Sequence, residues 1–221
     1  MRFQLAIFDL DGTILDTLED LCIGMNHALR AHAMPERSLD EVRRFVGNGI
    51  RKLVERAVPE GTAAQTIDSV YEAFTVYYAQ HCTDHTKPYE GVEQLLRTVR
   101  AAGMQTAVVS NKADYAVQTL CADYFPGMFD AVVGEREGVR RKPCPDSVNT
   151  VLEKLGVSPG QAVYIGDSDV DIETAKRAEM PCISVNWGFR TTEFLIEHGA
   201  EQILSAPAEL EHALMEDHDQ N

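Results

Sequence analysis

Leu5-Ala6-Ile7-Phe8 is an unbroken apolar run that gives way to Asp9-Leu10-Asp11-Gly12-Thr13. A run this short, bounded by a turn signal, predicts a strand buried on both faces rather than a helix. Past Gly12 the spacing becomes helical. Asp16 with Glu19 reads as a capping pair, and Leu18, Leu21, Cys22, Met25, Ala28 and Leu29 follow at helical intervals until Pro35. Ser38 with Glu41 predicts a second capping box, opening a short helix through Val42, Phe45 and Val46. Gly47-Asn48-Gly49 interrupts, and Ile50, Leu53, Val54 and Ala57 continue in another helix that Pro59 stops. A longer helix is expected from about Thr62 to His81, its stripe of Tyr71, Phe74, Tyr77 and Tyr78 reading as the core of that segment.

From Tyr89 the texture changes. Helices are expected near Val92–Ala102, Ala113–Asp123, Asp146–Leu155, Ile172–Glu179, Glu193–Glu197 and Ala208–Met215. Strands alternate with them at Thr106–Val109, Ala131–Val133, Ala162–Ile165, Cys182–Val185 and Gln202–Leu204, and Glu216–Asn221 reads as a frayed polar tail. Strands alternating with helices mean βαβ units and a parallel sheet. The all-helical stretch after the first strand is too long for an ordinary βα loop. The expected class is therefore α/β: a Rossmann-like doubly wound parallel sheet from residues 1–15 and 83–221, with an inserted all-helical domain at 16–82.

Composition narrows the class without choosing a chemistry. With 221 residues, 44% hydrophobic and 25% charged, the chain is an ordinary globular one. A net charge of -15 argues against nucleic acid and anionic membranes as partners. The five cysteines are scattered without a CxxC pair, which suggests neither zinc nor a disulfide framework and suits a reducing cytosol. One arginine precedes the first strand, with no apolar leader or cleavage site, so a cytoplasmic protein is expected.

The chemistry collects where strands end. Asp9 and Asp11 follow the first strand, Ser110-Asn111 the second and Gly166-Asp167 the fourth, while Lys142-Pro143 precedes a helix. In a parallel sheet these ends share one edge, where ligands bind. Converging aspartates make a hard oxygen site suited to Mg²⁺, and a hydroxyl, backbone N–H groups and a lysine make a phosphate seat. A unit anion ~4 Å from one aspartate is opposed by about 1–4 kcal/mol at effective dielectrics of 80 to 20. A phosphate dianion beside two carboxylates thus needs local positive charge, from a divalent ion and a lysine. Asp9, fixed by the strand, suits a nucleophile, and Asp11 suits a general acid/base.

Asp9-Leu10-Asp11-Gly12-Thr13, Ser110-Asn111, Lys142-Pro143 and Gly166-Asp167-Ser168 with Asp171 resemble, in order, the four motifs of the haloacid dehalogenase-like phosphatases. The resemblance spans essentially the whole chain, helical cap included. It implies Asp9 as nucleophile and Asp11 as acid/base, with Thr13, Ser110, Asn111 and Lys142 binding substrate phosphate. It implies Mg²⁺ held by Asp9, the backbone carbonyl of Asp11, and Asp167. Phe45-Val46-Gly47-Asn48-Gly49 followed by Leu53-Val54-Glu55-Arg56-Ala57 is similar to phosphoglycolate phosphatases, a pattern shared with sugar-phosphate, pyrophosphate and nucleotide phosphatases. The expected activity is hydrolysis of a small phosphorylated metabolite by a monomer or homodimer. Rival readings are a sugar phosphomutase and a non-catalytic phosphoacceptor module. One departure from the family is Glu179, where relatives commonly have glycine.

Plainer readings exist for each feature. Asp9-Leu10-Asp11-Gly12 could be a helix-capping turn, and Ser110-Asn111 an N-cap. Lys142 could belong to a solvated run with Arg140 and Arg141, which are read as surface. Asp169 reads as a helix start, and Asp171 divides evenly between capping and supporting a metal. Gly47-Asn48-Gly49, flanked by Arg44, Arg51 and Lys52, could be a simple turn between helices or a substrate loop. His81, Cys82 and His85 read as linker rather than as a metal cluster.

Overall fold

The structure, a computed structural model, describes residues 2–216; residues 217–221 of the expected tail lie outside them. The chain divides into two compact units, Met1–Leu15 with Pro88–Asn221, and Asp16–Lys87.

The first unit is built on a six-stranded sheet of β1 (Leu5–Phe8), β4 (Gln105–Ala113), β5 (Ala131–Glu135), β6 (Ala162–Gly166), β7 (Cys182–Val185) and β8 (Ile203–Leu204). The short β2 (Leu15–Asp16) and β3 (Lys87–Pro88) lie at the two passages between units. The sheet order is β5-β4-β1-β6-β7-β8, and every pairing is parallel. The chain winds outward on one side of β1 and then returns to wind outward on the other, as in a doubly wound Rossmann-like sheet. The switch point, where such sheets bind ligands, falls between β1 and β6.

Burial on both faces explains why β1 reads as continuous apolar sequence. Ala6 and Phe8 join one core with α5 (Val92–Ala101), α6 (Asp114–Tyr124) and α10 (Pro207–Met215). Leu5 and Ile7 join the opposite core with α7 (Asp146–Leu155) and α8 (Asp169–Arg177). Helix α9 (Thr192–Glu197) lies between β7 and β8 in the chain. The register sets Phe8 against Val108 and Ile165, so Asp9, Ser110 and Asp167 emerge within a residue of one another at the same edge.

The second unit contains α1 (Leu18–Ala31), α2 (Leu39–Phe45), α3 (Ile50–Ala57) and α4 (Ala64–His81). Leu21, Met25 and Leu29 of α1 and Val70, Phe74 and Tyr78 of α4 are buried. Gly24 allows close approach, since a methyl there would lie 3.2 Å from the Phe74 ring. Two of the four aromatics expected in the core lie outside it: Tyr71 is exposed and faces Arg51, and Tyr77 stacks between His27 and His81. The Ser38–Glu41 capping box forms. The Asp16–Glu19 pair does not, because Thr17 takes the N-cap position and Glu19 is drawn toward His85 at 3.6 Å. This unit runs to Lys87, past the boundary expected after Cys82. Buried Asp20 accounts for the extension: it accepts from the backbone N–H groups of His85 and Thr86 and from the Thr86 hydroxyl. Among the described residues no helix is long and apolar enough to cross a membrane.

Glu179 sits just past α8 at φ +55°, the left-handed region that favours glycine at a helix C-terminus. Its Cβ costs about 1–2 kcal/mol there, partly offset by the greater flexibility glycine confers on the unfolded chain. Glu179→Gly is therefore expected to stabilise the protein by about 1 kcal/mol, raising Tm by roughly 2–4 °C in a thermal melt.

Candidate active site

Asp9 follows the last residue of β1, its backbone N–H donating to the Ile165 carbonyl at 2.9 Å. Leu10 N–H donates to Asp9 Oδ1 at 2.7 Å, fixing the carboxylate over the strand end. The chain then turns at Gly12, φ +84°. A methyl there would lie 2.3 Å from Asp167 Oδ2, so both backbone conformation and space demand glycine.

Lys142 reaches the same edge from the loop before α7 and is buried. Its Nζ lies 2.9 Å from Asp9 Oδ1, and donates to Asp171 Oδ1 at 2.8 Å and to the Tyr164 hydroxyl at 3.0 Å. Those three partners use all three ammonium donors. Tyr164 passes its own O–H to the Val109 carbonyl at 3.0 Å, bracing the lysine from β6. Asp171 takes the capping role, one of the two that the sequence left open. Its Oδ2 accepts from the Ser168 hydroxyl at 2.6 Å at the start of α8, while Oδ1 faces Lys142.

Asp9, Asp167 and Asp171 each offer an oxygen within 4.8 Å of the others. The expected metal set named Asp9, Asp167 and the backbone carbonyl of Asp11, and Asp171 lies beside it as a further carboxylate. The Asp11 side chain is held by Lys112, whose Nζ lies 2.9 Å from Oδ1. Asp167 accepts from Phe189 N–H at 2.7 Å through Oδ2, and Thr13 Oγ1 lies 3.5 Å from its Oδ1. Ser110 is buried at this edge, its Oγ accepting from Lys112 N–H at 3.2 Å. Asn111 is turned to the Lys142 loop, its amide donating to the Lys142 carbonyl at 3.1 Å. Arg140 and Arg141 lie outside this cluster, paired with Asp146 and Glu135. In the helical unit Arg51 and Lys52 are paired with Glu55.

Lys112 and Tyr164 were not anticipated. The expected strand stopped at Val109, whereas β4 continues to Ala113. Period-two alternation along a continuing strand would have placed Lys112 on the side of Ser110.

The cluster carries an electrostatic imbalance. Four carboxylates (Asp9, Asp11, Asp167 and Asp171) face two lysines, Lys112 and Lys142, leaving a formal charge of -4 + 2 = -2. Burial, with Asp171 and Asp11 nearby, pushes Asp9 up to about 7 against the pull of Lys142. Burial and the negative charge of Asp171 and Asp9 push Asp167 well above the carboxylate range. Burial works against the Lys142 charge too, yet Asp171 and Asp9 hold its pKa above the ordinary lysine value. Because the folded-state pKa of Asp9 is raised, its contribution to stability is full below its ordinary 3.8 and lost as pH rises through about 7. All-oxygen donors and a deficit of two charges fit a hard divalent cation.

A family model described as haloacid dehalogenase-like hydrolase matches residues 6–185. A phosphoglycolate phosphatase from Psychrobacter arcticus is 35% identical over 197 residues, covering 86% of this chain and 86% of its own. An N-acetylmuramic acid 6-phosphate phosphatase from Pseudomonas aeruginosa is 30% identical over 213 residues, covering 95% and 94%. A solved structure of a presumptive phosphoglycolate phosphatase from Lactobacillus delbrueckii subsp. bulgaricus superposes with a TM-score of 0.94 at 38% identity, covering 98% of this chain and all of that one.

Proposed function

The chain is a phosphoric monoester hydrolase of the haloacid dehalogenase-like family, and we propose that it cleaves a small phosphate monoester, 2-phosphoglycolate foremost, through an aspartyl-phosphate on Asp9 with Mg²⁺. The observation that carries this reading is the Asp9 carboxylate, fixed at the sheet's switch point beside Lys142, with Asp167 and Asp171 around it.

In the first step an oxygen of Asp9 bonds to phosphorus as the ester P–O bond breaks. The departing oxygen takes a proton from Asp11, which must first part from Lys112. In the second step Asp11 accepts a proton from water, the water oxygen bonds to phosphorus, and the bond to Asp9 breaks to release phosphate. Lys142 offsets the phosphoryl charge beside Asp9, and the Ser110 hydroxyl is a further donor at the same edge. Asp9, Asp167 and Asp171, with the Asp11 backbone carbonyl, would hold Mg²⁺, which supplies charge neutralisation at the phosphoryl oxygens.

The ligand forms of Asp9 and Asp167 are the ionised ones, and burial raises both groups, Asp9 to about 7. Mg²⁺ affinity is therefore expected to rise with pH as these protons are lost, which calorimetric titration at pH 6 and 8 checks.

The helical unit is read as a cap that selects the substrate. The Pseudomonas aeruginosa relative supports a second reading, a phosphosugar as substrate. A panel of phosphate esters assayed with Mg²⁺ separates the two: the first reading requires 2-phosphoglycolate to show the highest kcat/KM, and a sugar 6-phosphate in that place favours the second. No phosphate release from any ester would overturn both.

A further inference from the structure

We propose that Trp187-Gly188-Phe189, a segment outside the four motifs, is a positioning clamp that locks the Asp167 carboxylate to the Gly12-Thr13 turn and so sets the site's affinity for its divalent cation. The inference rests on the functional reading above.

The segment follows β7 at the same edge of the sheet as Asp9 and Asp167. Three separate contacts hold it. Phe189 N–H donates to Asp167 Oδ2 at 2.7 Å, and the Trp187 indole N–H donates to the Thr13 carbonyl at 3.0 Å. Between them, Gly188 packs so closely that a methyl would lie 2.2 Å from the Gly12 carbonyl oxygen and 2.4 Å from Asp167 Oδ2. Gly188 has no left-handed φ, so it is space, not backbone freedom, that requires glycine there. A carboxylate with one oxygen held by a rigid N–H has a fixed orientation, which is how outer partners tune a metal site. Because Phe189 acts through its backbone, its bond is disturbed only by displacing the segment.

Gly188→Ala and Trp187→Phe in the full chain test the clamp. Mg²⁺ affinity is read by isothermal titration calorimetry, alongside thermal unfolding and hydrolysis of p-nitrophenyl phosphate. Gly188→Ala is expected to weaken Mg²⁺ binding about tenfold or more, and Trp187→Phe by roughly threefold to tenfold. KM for the ester at saturating Mg²⁺ should stay within about twofold of wild type, a separation that general loosening of the fold would not give. If Gly188→Ala does not fold, Trp187→Phe decides. Folded variants that bind Mg²⁺ as wild type does overturn the clamp and leave the functional reading standing. A wild-type chain that hydrolyses the ester but binds no Mg²⁺ overturns the clamp and the metal assignment. A wild-type chain that does neither overturns the functional reading as well.

Discussion

Asp9→Asn is expected to lower phosphate-ester hydrolysis by on the order of 10⁴-fold or more, since it removes the attacking atom itself. The fold should survive. Burial already pushes the Asp9 carboxyl up to about 7, so above that pH an ionised side chain burdens the folded state. A neutral amide of the same shape removes that burden, and the variant's Tm at pH 8 should equal or exceed that of wild type. Loss of activity with intact thermal unfolding separates a chemical role from a structural one. Full hydrolytic activity in Asp9→Asn would sink the assignment.

Lys142→Met should damage both stability and activity. The lysine pairs with both Asp9 and the buried Asp171, and its removal leaves their negative charges without that counter-charge. Stranding buried carboxylates typically costs about 3–5 kcal/mol, which lowers Tm by roughly 6–20 °C in a chain of this size. Turnover should fall by on the order of 10²-fold or more as the positive charge beside the phosphoryl group is lost. Adding Asp171→Asn should restore part of the stability, by removing one stranded charge, and little of the activity. Differential scanning calorimetry with steady-state kinetics reads both. A Lys142→Met chain that melts within about a degree of wild type would show that the ion pairs carry no net stability.

The sheet was legible because burial on both faces writes strands such as Leu5–Phe8 and Ala162–Gly166 as uninterrupted apolar runs. For the same reason polar residues at their ends stood out: Asp9, Ser110 and Asp167 converge by register, and Lys142 joins them from its loop. Lys112 stayed hidden because β4 does not stop where its apolar run stops. Tyr164 lies within an apolar strand, and only its hydroxyl, bridging Lys142 and the Val109 carbonyl, marks it as part of the site. The Trp187 segment works chiefly through a backbone N–H and a missing Cβ, and side-chain chemistry encodes neither. A lone tryptophan directly beyond a strand, at the edge where the aspartates lie, was the one available signal. In the helical unit Phe74 and Tyr78 followed the apolar stripe into the core. Tyr71 and Tyr77 did not, because one meets an arginine and the other a pair of histidines.

Transfer through Asp9 in two displacements has a stereochemical consequence that no other feature of the site can mimic. Each in-line displacement inverts phosphorus, so two restore it. The direct measurement is hydrolysis of a phosphorothioate ester made chiral at phosphorus with two oxygen isotopes, in water carrying the third, with the configuration of the released thiophosphate determined. Retention is the predicted result. Inversion would mean that water attacks the ester in one step, and would contradict the role given to Asp9.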